Sequence, residues 1–135
     1  MSNPVWIDKT ALVLAYIEIV RRTGGLAGIR DEGLLESALA RPRNHFEYEN
    51  VTAIRRLAAS YAVGILRNHP FIDGNKRAAF IALGLFLNLN GFRITAEQMD
   101  AANTFFSAAS GELNESSLIT WLERNSERIC PEVAE

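Results

Sequence analysis

His69-Pro70-Phe71-Ile72-Asp73-Gly74-Asn75-Lys76-Arg77 runs without a break into the apolar stretch Ala78 to Leu89. The second half of this segment decides the fold. Ala79, Phe80, Ile81, Leu83, Leu85, Phe86 and Leu87 leave a helix no polar face, and a helix that is apolar all round is buried on most of its sides. It is expected to start near Asn75, to run to about Asn88 and to end at Asn90-Gly91, since glycine favours helix C-termini. This predicts a central helix with the nine-residue run at its N-terminal mouth.

The nine residues bring together the types that phosphoryl chemistry needs. The first N–H groups of a helix lack intrahelical partners and the dipole there is positive, so a helix mouth attracts anions. Gly74 lets a phosphate come close to the backbone, having no Cβ. Arg77 offers a planar fork for two phosphate oxygens. Asp73 can hold Mg²⁺, which takes one or two protein carboxylates and fills the rest of its shell with phosphate and water. His69 can take a proton from an attacking hydroxyl. Each has an ordinary explanation too. A loop histidine caps helices, Asp73 and Arg77 stand at the i,i+4 spacing of a helix salt bridge, worth about 0.3–0.5 kcal/mol, and Asn75 suits a local cap. The salt bridge explains the Asp–Arg pair but neither the His nor the Asn, and a shared site needs all of these types in register. Lys76 places a cation where the helix dipole disfavours one, a conflict that a bound anion relieves.

Outward from this segment the chain reads as helix. Asp8 is an N-cap for a helix to about Arg22, with Leu12, Tyr16, Ile19 and Val20 as its apolar stripe. Gly24, Gly25 and Gly28 interrupt the chain, Asp31 caps a short helix from about Gly33 to Ala40, and Arg41-Pro42 ends it. Arg41 to Asn50 is polar and shows little helical period. A helix from about Val51 to Arg67 presents Ile54, Leu57, Ala58, Tyr61, Ala62 and Ile65 on one face. Thr95 with Gln98 reads as a capping box for a helix to about Ser110. Gly111 stops it, and a last helix carries Leu118, Trp121 and Leu122. The sum is an all-α bundle of about six helices.

The whole chain, 1–135, reads as one domain, since 135 residues with 48% hydrophobic content suffice for a real core. The net charge of −2, with both signs mixed, argues against non-specific nucleic-acid binding. No charge-free apolar run is long enough to span a bilayer, and Met1 to Asp8 lacks the pattern of a signal peptide. The one cysteine, Cys130, cannot form an internal disulfide, so a cytoplasmic setting is expected. There is no G-x-x-x-x-G-K-[ST] loop and no H-R-D or D-F-G pattern, which excludes P-loop enzymes and the ordinary protein-kinase fold. Two histidines, His45 and His69, are too few for a multi-histidine zinc site.

The 69–77 run resembles the Fic superfamily motif, H-x-F-x-[DE]-x-N-x-R. Lys76, where Fic enzymes usually carry Gly, makes it resemble the Doc (death-on-curing) toxin branch. Gly74 is the more Fic-like choice at a position where the Doc pattern has Ala. Gly24 to Leu39, Phe86 to Gly91 and the Trp121-Leu122 segment extend the likeness over roughly residues 7–125. The resemblance implies the Fic/Doc fold, with a small β-hairpin flap near Arg41–Asn50 beside the catalytic loop, suited to docking a target polypeptide. It implies a toxin paired with an antitoxin, transferring the γ-phosphate of ATP with Mg²⁺ to a Ser/Thr hydroxyl of a host protein, a translation elongation factor. His69, Asp73 and Arg77 would be catalytic, with Asp73 on the metal and Gly74, Asn75, Lys76 and Arg77 on phosphate. Transfer of AMP and a catalytically silent antitoxin-binding module are the alternatives. Many Fic proteins silence themselves through a helix resembling [ST]-x-x-x-E-[GN]. No Ser or Thr here has Glu four residues later, so inhibition is expected from a separate partner.

Overall fold

The computed structural model describes residues 3–109 and 114–129. Six helices form an all-α bundle with one small β element: α1 (Lys9–Arg22), α2 (Glu32–Glu49), α3 (Ile54–Asn68), α4 (Asn75–Leu89), α5 (Gln98–Ala109) and α6 (Glu115–Asn125), with strands β1 (Phe92–Ile94) and β2 (Ser126–Arg128). The ends expected at Ser110 and Gly111, and Cys130, lie outside the described residues.

Local chemistry sets several helix ends where the sequence put them. The Asp8 carboxylate accepts from the Ala11 N–H at the start of α1, and Asp31 does the same for Leu34 at the start of α2, satisfying N–H groups that have no intrahelical partner. At the far end of α4, Asn90 caps the helix and Gly91 follows at φ 85°, a conformation glycine adopts without steric cost.

Two expectations fail and a third holds only in part, each for a tertiary reason. First, α2 does not stop before Arg41-Pro42; it continues to Glu49 with Pro42 buried inside it. The residue before a proline ordinarily avoids helix. Here the Arg41 guanidinium donates to the Ser60 Oγ at 2.9 Å and to both carboxylate oxygens of Glu115, at 3.2 and 3.0 Å. These bonds to α3 and α6 hold the chain helical through the proline. Segment 41–49 is therefore helix rather than a β-hairpin flap. The β element lies elsewhere, as β1 paired antiparallel with β2, Arg93 opposite Glu127. Arg55 of α3 anchors it, donating to the Ser126 Oγ at 2.7 Å with its guanidinium 4.7 Å from the Phe92 ring centroid. Second, Thr95 does not cap α5. Its N–H donates to the Asn125 carbonyl at 2.6 Å instead, in line with the strand pair.

Third, α4 shares the centre with α3. Every residue from Leu57 to Ile65 is buried, whereas α4 keeps Ile81 and Leu85 half-buried. α3 is packed by α2, α4 and α6, and α4 also meets α1, α5 and β1. Gly64 lets α2 and α3 come close, since a Cβ there would lie 3.3 Å from the Ala38 carbonyl oxygen. The junction of α3 and α4, residues 69–74, thus sits at one end of the two most buried helices.

Candidate active site

His69 ends α3. It is the C-cap residue, in the left-handed region at φ 48° and ψ 57°, with its N–H bonded to the Ile65 carbonyl at 3.0 Å. That backbone turn, followed by Pro70, reverses the chain. Phe71 then dives into the core, 1% exposed, and stacks on the Tyr16 ring with centroids 4.0 Å apart. Phe71 is the anchor of the loop. His69, Ile72 and Asp73 remain exposed on either side of it, as do Lys76 and Arg77 in the first turn of α4.

The Asn75 side chain closes the loop. Its Oδ1 accepts from the Phe71 N–H and its Nδ2 donates to the Phe71 carbonyl, both at 3.0 Å. This fixes the amide's orientation and turns Nδ2 toward the His69 ring, 3.5 Å from Nδ1. Asn75 is thus an organiser of the loop before it is a donor to any phosphate. Among the described residues this long approach is the one hydrogen bond of the His69 ring.

Gly74 has a packing reason. It is the N-cap of α4 at φ 79°, and a Cβ would fall 2.6 Å from the Val20 Cγ2 and 3.4 Å from the Tyr16 ring. The α1 side chains behind it require a glycine here, whatever approaches from the front. The first intrahelical bond of α4 runs from Ala78 to the Gly74 carbonyl, so the amides of the preceding turn point out of the helix mouth.

Asp73 and Arg77 do not form the i,i+4 ion pair that their spacing allows. Among the described residues, none of the ion pairs involves Asp73 or Arg77. The Asp73 Oδ1 accepts from the Gly74 N–H at 2.9 Å and its Oδ2 from the Leu26 N–H at 3.3 Å. Arg77 donates to the Thr23 Oγ1 at 2.7 Å. Both functional groups therefore face the loop after α1. Two backbone donors orient the Asp73 carboxylate while leaving it exposed. Among the described residues no group of three or more His, Cys, Asp or Glu side chains can cage a metal. A lone oriented carboxylate fits Mg²⁺ arriving with phosphate and water as its other ligands, and does not fit a zinc site.

The segment 23–31, legible in the sequence only as a glycine interruption, takes part in building the site. Its backbone runs against the motif: Ile72 donates to the Gly28 carbonyl at 2.9 Å, and Arg30 and Asp31 both donate to the Pro70 carbonyl, at 2.7 and 3.1 Å. The Tyr16 hydroxyl sits between the two loops, donating to the Asp73 carbonyl at 2.6 Å and accepting from the Gly28 N–H at 3.2 Å. The three glycines were the available signal, since they mark a loop able to lie this close to another backbone.

These contacts place an imidazole, a carboxylate and a guanidinium around one helix mouth, in the motif order H-x-F-x-D-x-N-K-R. The sequence profile of the Fic/DOC family matches residues 6–87, more than half of the chain and all of the motif. The chain belongs to the Fic/Doc family. It is 33% identical over 118 residues to "Protein kinase doc" of Escherichia phage P1, an alignment covering 87% of this chain and 93% of that protein. It is also 42% identical over 77 residues to "Toxin Doc" of Mycolicibacterium smegmatis, covering 55% of this chain and 58% of that protein. These similarities put it in the Doc branch of the family.

The helical form of 41–49 removes the strand edge by which a flap would dock a polypeptide. In its place Arg41, Asn44 and His45 of α2 line a cleft of about 340 Å³ with Arg67 and Asn68 of α3. The cleft reaches Asn68, the residue before His69, while Asp73 and Arg77 face the α1 side. Among the described residues no helix is long and apolar enough to cross a membrane.

Proposed function

We propose that this Fic/Doc protein is a Doc-like toxin that transfers the γ-phosphate of ATP to a Ser or Thr hydroxyl of a host protein, a translation elongation factor being the first candidate. The observation that carries the reading is the α3–α4 junction, where His69, Asp73 and Arg77 surround the open end of α4 (residues 69–77). The name of the phage relative, a protein kinase, supports the same reaction.

In this reaction the acceptor oxygen attacks the γ-phosphorus, the bond from that phosphorus to the bridging oxygen breaks, and ADP leaves. His69 takes the hydroxyl proton, which raises the nucleophilicity of the acceptor as the bond forms. Arg77 and the α4 amides hold phosphate oxygens, and in-line transfer asks for little beyond such positioning and charge neutralisation. Asp73 would hold Mg²⁺, which neutralises phosphate charge when bound. The acceptor segment approaches from the α2 side of His69, where Arg67 lines the cleft.

Gly74 does not argue for AMP transfer, because the contacts with Val20 and Tyr16 account for a glycine there. Lys76 is the discriminating residue. Its side chain and charge occupy space at the helix mouth that a glycine would leave to the β- and γ-phosphates. Intact-mass analysis of the target separates the chemistries: a phosphate increment is expected, and Lys76→Gly should weaken it. An AMP increment from the unaltered protein would replace this reading with nucleotidyl transfer, and no increment with any nucleotide would favour a silent binding module.

Silencing would come from a cognate antitoxin segment. Leu26 and Ile72, 67% and 51% exposed, flank Asp73 and give such a segment apolar surface beside the site. Expression of the protein alone should arrest a host that carries the target. Harmless accumulation of intact protein would contradict the toxin assignment.

A further inference from the structure

We infer that Arg30 is a positioning residue for His69, an inference that rests on the base role proposed above. The Arg30 guanidinium lies across the end of α3. Its Nε donates to the His69 carbonyl at 2.8 Å and its second terminal nitrogen to the Asn68 carbonyl at 3.0 Å. These are two of the last carbonyls of the helix, which have no intrahelical donors. A cation there also matches the negative end of the helix dipole.

The placement matters because of the conformation it holds. His69 is one of two non-glycine residues with positive φ among the described residues. Side chains other than glycine's rarely keep that conformation unless the surroundings fix it. Arg30 fixes it from one side through the two carbonyls. Its own N–H donates to the Pro70 carbonyl at 2.7 Å, immediately after the turn. The Asn75 clamp on Phe71 fixes the other side. The imidazole is thereby carried on a short, braced turn, and among the described residues its ring has one hydrogen-bonding approach, from Asn75 Nδ2 at 3.5 Å. Arg30 stands 39 residues from His69 in the chain, and the two meet only because segment 23–31 lies along the motif.

Arg30 is exposed, and Arg30→Ala is expected to fold. With the brace removed the turn at His69 relaxes, and misplacement of a catalytic group by about 1 Å can cost about 10²-fold in rate. The expected result is a fall in kcat of about that size with KM for ATP little changed, because the phosphate-binding groups face α1. Arg30→Lys keeps the charge without the planar fork and should recover only part of the rate. Added guanidinium ion, at concentrations below those that unfold the protein, should restore some activity to Arg30→Ala. In parallel, NMR of His69 should show its backbone and ring signals displaced in Arg30→Ala while the remainder of the spectrum is kept. Wild-type kcat in Arg30→Ala, or undisplaced His69 signals, would overturn the inference. If the unaltered protein transferred no phosphate at all, the proposed reaction would fail, and the His69 signals would still decide whether Arg30 holds the turn.

Discussion

Replacing Tyr16 by Phe tests whether the loop after α1 braces the site. The substitution keeps the ring stacked on Phe71 at 4.0 Å and opens no cavity, since only the hydroxyl is lost. That hydroxyl donates to the Asp73 carbonyl at 2.6 Å and accepts from the Gly28 N–H at 3.2 Å, inside a residue that is 0% exposed. Each hydrogen bond contributes about 0.5–1.5 kcal/mol net, so the loss of both should cost about 2 kcal/mol. For a chain of 135 residues this corresponds to a fall in Tm of about 6–10 °C, between the sensitivities of smaller and larger domains. Because Asp73 is one end of the lost bond, phosphoryl transfer should also fall, by about tenfold. Denaturant unfolding with circular dichroism measures the first effect and steady-state transfer the second. A loss below about 0.5 kcal/mol together with an unchanged rate would refute the idea that Tyr16 couples the two loops.

His69→Ala, Asp73→Ala and Arg77→Ala should each abolish transfer with the fold retained, as all three are exposed; loss of a positioned base typically costs about 10²–10⁴-fold, and near-normal transfer by His69→Ala would remove its assigned role. Phe86→Ala, at a 0% exposed position with Trp6 and Tyr61 5.8 and 5.1 Å away, should destabilise by about 3–5 kcal/mol and alter Trp6 fluorescence; unchanged unfolding would contradict the packing of α4. Burial raises the pKa of the Glu115 carboxyl, but the paired hydrogen bonds from Arg41 and the nearby charge of Arg67 and His45 outweigh it and hold the group below its ordinary value of 4.5. The ionised group therefore adds stability that is present in full above pH 4.5 and is lost as pH falls through the lowered value. Glu115→Gln should cost about 1–2 kcal/mol at neutral pH, and the gap from the unaltered protein should close in acid; a gap independent of pH would show that the charge is irrelevant.

The sequence by itself determined what short-range chemistry controls. Asp8 and Asp31 cap helices because a carboxylate three residues before a free N–H can reach it without help from the rest of the chain. The central burial of α4 followed from its lack of a polar face, and the motif at its mouth followed from its neighbours in the chain. The residues proposed to bear the chemistry stand together for the same reason, since His69 through Arg77 span one loop and one helical turn.

Only the tertiary structure decided how those residues are held. The continuation of α2 through Pro42 depends on Arg41 reaching Ser60 and Glu115, 19 and 74 residues away. The pairing of β1 with β2 joins segments 34 residues apart, and a three-residue strand carries too little pattern to announce its partner. Asp73 could equally have paired with Arg77; it turns instead to the Leu26 N–H, and Arg77 to Thr23, because α1 ends beside the mouth of α4. Spacing along a chain gives the contacts that one helix permits. Which of them form depends on the donors and acceptors that other elements bring, and here the loop after α1 brings them.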